Sequence, residues 1–150
     1  MKYYLLFALV FLLGSCHLND DNSPNAVDKP LNAWAEAYFG FDYEEALDYM
    51  TPESEKWIRF AASNITEKDV AFINEHNKGA NMEIIDRYMM TGDTACSARI
   101  RVSDFVQLGF VGQENKVIDQ AEYQITLVKR DDKWKVKMEG PLQSGKQSRD

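Results

Sequence analysis

The chain has 150 residues, a formal net charge of −7 and 12% aromatic residues. That length holds one domain with one core, not two. An acidic chain with no Lys/Arg cluster argues against nucleic acid as a partner and against charge-driven adhesion to anionic lipid, both of which need concentrated positive charge.

Lys2 supplies a positive start, Leu5 to Leu13 is an unbroken apolar run, and Gly14-Ser15 put small residues ahead of Cys16. A charged start, a short apolar run and a small-residue cleavage site describe a secretory signal. The run is too short for a membrane span, which needs about 20 apolar residues. Leu13-Gly14-Ser15-Cys16 resembles the bacterial lipobox. The resemblance implies that the Cys16 thiol is diacylated, that the chain is cut before it, and that the new amine is acylated. Residues 1–15 then read as a lipoprotein signal peptide. The mature protein is expected to be lipid-anchored in the cell envelope, on the periplasmic face of an outer membrane or at the cell surface. Asp20-Asp21 resembles an acidic export signal for surface display. Three acyl chains, at about 0.8 kcal/mol per buried CH₂, suffice for stable anchoring. Lipidation of Cys16 leaves Cys96 with no disulfide partner, and its small neighbours Ala95, Ser97 and Ala98 suit a buried thiol.

Residues 16–29 hold the lipidated cysteine and a polar stretch with Pro24 and no periodicity, which reads as a flexible tether. The folded part is expected over residues 30–139. Leu31, Trp34, Ala35 and Tyr38 recur at helical spacing, and Gly40 ends that helix. Asp42 with Glu45 reads as a capping box for a second helix through Tyr43, Ala46, Leu47 and Met50. Thr51-Pro52 is a start signal for a third, with Trp57, Phe60 and Ala61 on its buried side. Thr66 with Asp69 opens a fourth, which carries Val70 and Ile73 inward and closes at Asn77-Lys78-Gly79. Residues 82–90 contain no breaker. Cys96, Ala98, Ile100 and Val102 alternate with Ser97, Arg99 and Arg101, the period of a half-buried strand. Gly109 to Lys116 is a hairpin loop. Residues 117–129 form another strand, with Ala121, Tyr123, Ile125 and Leu127 on one face. Arg130 to Lys133 is a tight turn, and Trp134, Val136 and Met138 follow on alternate positions. Residues 140–150 read as a polar, disordered tail. Helices first and a strand meander after predict an α+β fold, with short N-terminal helices packed on one face of an antiparallel sheet of about four strands.

Ala33-Trp34-Ala35-Glu36-Ala37-Tyr38, then Asp42-Tyr43-Glu44-Glu45-Ala46 and Tyr49-Met50-Thr51-Pro52, lead far downstream to Ile125-Thr126-Leu127-Val128-Lys129, Asp131-Asp132-Lys133 and Trp134-Lys135-Val136. Over about residues 30–139 this pattern resembles the nuclear transport factor 2-like (cystatin-like) superfamily, and its small bacterial lipoproteins in particular. The resemblance implies a cone, in which a curved antiparallel sheet wraps a long helix and leaves an apolar cavity at the wide end. The superfamily includes isomerases, dehydratases and polyketide cyclases as well as binding and assembly domains, so the fold alone assigns no function.

Enzymatic members place an Asp or His inside the cone as a general base. The candidates are Asp42, Asp86, Asp104 and His76. Asp42 is accounted for as a helix cap, and His76 lies at a helix C-terminus. Asp86 and Asp104 fall on strands, and the parity that buries Ile100 and Val102 carries Asp104 inward unless a bulge intervenes. Trp34, Tyr38, Trp57, Phe60 and Tyr123 are the foremost candidate walls of a ligand pocket, with Phe41, Phe105 and Trp134 also able to line it. No spacing suits a metal, no glycine-rich phosphate loop is present, and no cofactor is expected. Met89-Met90 and Phe105 to Val111 carry more apolar surface than one small sheet face needs, which would mark a homodimer face or a site for an envelope protein on the sheet's convex side. The expectation is a membrane-anchored domain that binds a small apolar ligand or a protein partner without catalysis. The alternatives are a small isomerase- or dehydratase-like enzyme with Asp104 as base, and a purely structural dimer module.

Overall fold

The computed structural model describes residues 24–110 and 112–147. A 3₁₀ turn at Pro24–Val27 runs into helix α1, Asp28–Phe39. Helix α2 spans Tyr43–Asp48, and a second 3₁₀ turn at Pro52–Ser54 leads into α3, Glu55–Ser63. Helix α4 is Glu67–His76. Strands β1 (Asn81–Met89), β2 (Ala95–Gln107), β3 (Lys116–Arg130) and β4 (Lys133–Lys137) follow as an antiparallel meander in that order, and β5 (Lys146–Gln147) pairs with β3 at Ala121 and Glu122. The fold is α+β with an open sheet. Helices first and a meander after is the layout that the sequence resemblance implies.

One apolar core joins α1 to the sheet. Leu31, Trp34 and Ala35 are buried on α1 at the helical interval. They meet Cys96, Ala98, Ile100 and Val102 from β2, the alternating set of β3 from Ala121 to Leu127, and Trp134 and Val136 from β4. Register follows from that shared face: Ile100 pairs with Tyr123 and Ala98 with Ile125, and a slip of one residue would turn every one of these side chains to solvent. The β3–β4 turn has both Asp131 and Asp132 at positive φ, 49° and 60°. That is the two-residue hairpin geometry whose twist matches that of the strands.

The outer sheet face is charged where the sequence suggested an apolar remainder. Arg99 is paired with Asp86, and Arg101 reaches Glu83 at 3.1 Å and Glu122 at 3.0 Å. These five side chains link β1, β2 and β3. Phe105 and Val106 are buried, so the surplus apolar surface of that run appears instead at Phe110, which is exposed beside the cavity described below.

The structure moves both ends of the expected domain outward. Val27 is fully buried, and Asp28 accepts from Arg87 Nε at 2.6 Å. Residues 24–29 are therefore part of the fold, not of a tether, because one apolar side chain and one bidentate ion pair hold them. At the other end Leu142 packs on the core, and the Gly145 N–H donates to the Glu122 carbonyl at 3.0 Å. The tail expected over 140–150 is thus ordered to Gln147. Cys16, the apolar run before it and residues 148–150 lie outside the described residues.

Thr51 stands at the N-cap of the 3₁₀ turn with Pro52 next, as Thr51-Pro52 suggested, but its side chain makes no capping hydrogen bond. It is buried, and its N–H donates to the Val136 carbonyl at 2.9 Å while the Val136 N–H donates to Tyr49 O at 2.8 Å. Residues around Met50 thereby lie alongside β4 in a parallel bridge. The Thr51 hydroxyl turns to that of Ser54 at 2.7 Å, and Ser54 Oγ accepts the Met138 N–H at 2.8 Å. On α3 the buried residue is Ile58, and Phe60, expected inside, is 45% exposed. The capping box at Thr66 and Asp69 forms, yet α4 buries no residue and Val70 stands exposed. With its apolar side only partly covered, α3 forms one wall of a cavity.

Candidate functional site

A cavity of about 200 Å³ opens between the end of α1, the α3 segment and the far halves of β2 and β3. Its walls are aromatic: Tyr38 and Phe39 from α1, Phe41 and Tyr43 from the α1–α2 corner, Trp57 and Phe60 from α3, Phe105 from β2, Phe110 beyond it and Tyr123 from β3. Phe39 stands at the centre of this group, with ring centroids 5.2 Å from Phe105, 5.4 Å from Tyr123 and 5.3 Å from Tyr38.

The corner that presents Phe41 is a Schellman motif. The Asp42 N–H donates to Ala37 O at 2.9 Å and the Phe41 N–H to Tyr38 O at 3.2 Å. In this motif the residue between is left-handed and is normally glycine. Here it is Phe41, at φ 64°. The glycine stands one place earlier, at Gly40, where a Cβ would come within 2.7 Å of the Glu36 carbonyl oxygen. Gly40 thus allows the corner to close, and Phe41 holds a left-handed conformation that costs a non-glycine residue about 1 kcal/mol. Asp42 then caps α2 by accepting the Glu45 N–H at 3.1 Å.

Among the described residues no charged side chain lines the cavity. Its polar groups include three tyrosine hydroxyls. Burial pushes Tyr43 and Tyr123 up to about 12, and burial with the neighbouring Tyr43 and Tyr123 pushes Tyr38 higher still. All three are neutral phenols at physiological pH, able to donate or accept. Trp57 adds an indole N–H that is buried with no hydrogen-bond partner among the described residues. One face of its ring is occupied by Lys56, whose Nζ lies 5.1 Å from the ring centroid.

The mouth is closed on one side by a tight loop. The Gln113 N–H donates to Phe110 O at 2.7 Å, and a Cβ on Gly109 would meet Gln113 O at 2.4 Å, so only glycine fits there. Asn115 ties this loop to the start of α4. Its Oδ1 accepts the Gly109 N–H at 2.9 Å, and its Nδ2 donates to Asp69 Oδ1 at 2.7 Å. The hydrogen bond from Asn115, then those from Thr66, hold the Asp69 carboxyl below the usual carboxylate range.

Of the five aromatics expected to face a ligand, Tyr38, Trp57, Phe60 and Tyr123 line this cavity. Trp34 does not. It is fully buried one helical turn deeper, stacked on Tyr38 at 5.0 Å. Asp104 is exposed, contrary to its parity. It adopts φ 57°, which breaks the alternation, and Phe105 takes the inward place while pairing resumes in the same register. Asp86 is on the outer face with Arg99. His76 stacks on Phe72 at 4.1 Å and bonds to the Phe72 carbonyl at 3.0 Å, away from the cavity. Cys96 is buried in the core, where burial pushes its thiol up. Phe41 and Phe105, among the aromatics read as possible walls, also line the cavity, whereas Tyr43 and Asn115 were not singled out from the sequence. Phe105 carried a signal, since it interrupts the period of two. Among the described residues no group of three or more His, Cys, Asp or Glu could hold a metal ion, and no helix is long and apolar enough to cross a membrane.

A second groove, between α1 and the start of β1, is larger at about 520 Å³ but has Glu36, Asp42 and Glu45 in its lining and a single aromatic, Phe39. The aromatic cavity is the better candidate because its walls are continuous, apolar and uncharged.

No protein-family model matches the chain, and no curated protein matches it. Among solved structures it is similar to a Campylobacter jejuni protein described as a candidate NTF2-like transpeptidase, at 18% identity and a TM-score of 0.46, over 77% of this chain and 99% of that one. A likeness of that depth carries no inference about activity, and the functional reading rests on the cavity.

Proposed function

We propose that the protein is a lipid-anchored envelope protein of nuclear transport factor 2-like fold, whose domain holds a small, largely apolar molecule in the aromatic cavity and performs no catalysis on it. One observation carries the binding reading: the cavity is walled by aromatic rings and neutral hydroxyls, with no Asp, Glu, His, Lys or Arg among the described residues that line it. A proton-transfer enzyme needs a group that exchanges its proton near the working pH within hydrogen-bond reach of its substrate, and burial holds the three cavity tyrosines in their neutral form. The acid that would have served, Asp104, is exposed. A cavity of about 150 Å³ takes benzene, so 200 Å³ suits one ring with small substituents. The anchor rests on Leu13-Gly14-Ser15-Cys16.

Two experiments test this. Native mass spectrometry of protein from its own cells is expected to show a retained small molecule, or titration with single-ring aromatics to quench Trp57 fluorescence. Absence of both up to millimolar ligand removes the binding reading. Mass spectrometry of the mature N-terminus is expected to find an acylated Cys16; an unmodified chain starting at or after residue 16 removes the anchor.

A further inference from the structure

Two large apolar side chains, Tyr88 and Met90, stand exposed where β1 ends. They are two residues apart, so they share the outer face of the sheet. The hairpin tip beyond them, Thr91 to Thr94, is exposed throughout. The chain enters the fold at this same end, since Val27 is buried there and Asp28 is bound to Arg87, the neighbour of Tyr88. The aromatic cavity is at the other end, where Phe105 to Phe110 line it. From Ala95 to Phe105 strand β2 takes ten steps, about 33 Å.

Cys16 is eight residues before Pro24, and eight steps of chain reach at most about 28 Å. If the cavity faced the anchoring membrane, Pro24 would stand a strand's length from it, at or beyond that limit. With the hairpin end down, the reach is ample. The neighbouring β3–β4 turn mixes Lys129, Arg130 and Lys133 with Asp131 and Asp132, so charge sets no preference and apolar contact decides. A tyrosine, with an apolar ring and a polar tip, suits the boundary between lipid and water.

We propose that the hairpin end is seated on the lipid surface that holds the anchor, with Tyr88 and Met90 in its headgroup layer and the aromatic cavity opening away from it. The cavity then fills from the aqueous side and not from the bilayer. This rests on the anchor reading above and adds to it the orientation of the domain.

The test uses the mature, acylated protein in vesicles of nitroxide-labelled phosphatidylcholine. A nitrobenzoxadiazole fluorophore is placed on Met90→Cys or, separately, on Phe110→Cys. Wild-type protein, whose Cys96 is buried, is the labelling control. Lipid quenching is expected to be about threefold or more greater at position 90 than at 110. Adding Tyr88→Glu is expected to reduce the quenching at position 90 about twofold, while the protein still floats with the vesicles. Equal quenching at the two positions, stronger quenching at 110, or none at 90 (as when a second copy covers the outer face) overturns this proposal and leaves the anchor intact. So does a Tyr88→Glu variant with unchanged quenching. Protein that does not float with the vesicles overturns both.

Discussion

The Asn115 side chain donates to Asp69 at 2.7 Å and so joins the Gly109 loop, which lines the cavity, to the start of α4. Truncating it to Ala also strips the Gly109 N–H of its acceptor. Asn115→Ala is expected to cost about 1–2 kcal/mol in urea unfolding and to speed ligand release. Unchanged release would show that the mouth opens elsewhere.

The same contact predicts a pH dependence. Hydrogen bonds lower the Asp69 carboxyl in the folded state, so the stability it contributes is complete above the unfolded value of about 3.9 and is lost as pH falls through the lower folded value. Thermal melts of wild type and Asp69→Asn between pH 6 and 2.5 are expected to differ by a constant amount above about pH 5 and to converge below pH 4. Parallel curves across the range would place the effect elsewhere.

The left-handed Phe41 inverts a familiar order of preference. Phe41→Ala and Phe41→Gly both remove the ring, and only alanine keeps the strain at φ 64°. The glycine variant is expected to be more stable than the alanine variant by about 1 kcal/mol. Both should bind ligand more weakly than wild type, since the ring lines the cavity. Equal melting temperatures would mean that the corner relaxes.

Ser54 is fully buried, with close contacts to the Thr51 hydroxyl and the Met138 N–H and a longer one to the Met138 carbonyl. Ser54→Ala leaves the Thr51 hydroxyl and the Met138 N–H without this partner and is expected to cost about 2–3 kcal/mol. Ser54→Cys keeps the size and restores only weak bonding, so it should fall between. A loss below 0.5 kcal/mol in Ser54→Ala would show that water replaces the hydroxyl.

Where the fold begins is measurable too. A chain starting at residue 30 lacks Val27 and Asp28, and with them a fully buried apolar side chain and a bidentate ion pair. It is expected to be about 3 kcal/mol less stable than a chain starting at residue 24. Equal stability would return the boundary to Pro30.

Much of this architecture was legible in the sequence because it is periodic. The helical spacing of Leu31, Trp34 and Ala35 and the alternation from Cys96 to Val102 each report a single buried face, and caps such as Thr66 with Asp69 mark ends. What was not legible comes from single residues that leave no periodic trace. An Asp at positive φ reads like any other Asp, so the break at Asp104 was hidden, and with it the choice between Asp104 and Phe105 as the inward residue. An aromatic where glycine is the rule concealed Phe41. On α3 Trp57, Phe60 and Ala61 were read as the buried side, whereas the buried residue is Ile58 and Phe60 is 45% exposed. A pattern cannot distinguish a face that meets protein from one that meets a cavity, and here it meets a cavity. Trp34 shows the converse, since it shares the α1 face of Tyr38 and lies just deep enough to be core.

Tyr49 to Thr51 alongside β4 have a consequence for how copies of this protein behave together. An open sheet ends in two rims of unpaired backbone groups, which can template growth onto another chain. Here the β4 rim is occupied by the protein's own backbone at Tyr49, Thr51 and Val136, and β5 extends that cover along β3. The β1 rim is broken by the register shift between Ile84 and Asp86 and flanked by the charges of Glu83 and Arg87. Molecules gathered at high density on one surface, as a shared lipid anchor would gather them, therefore meet without a straight rim to zip against.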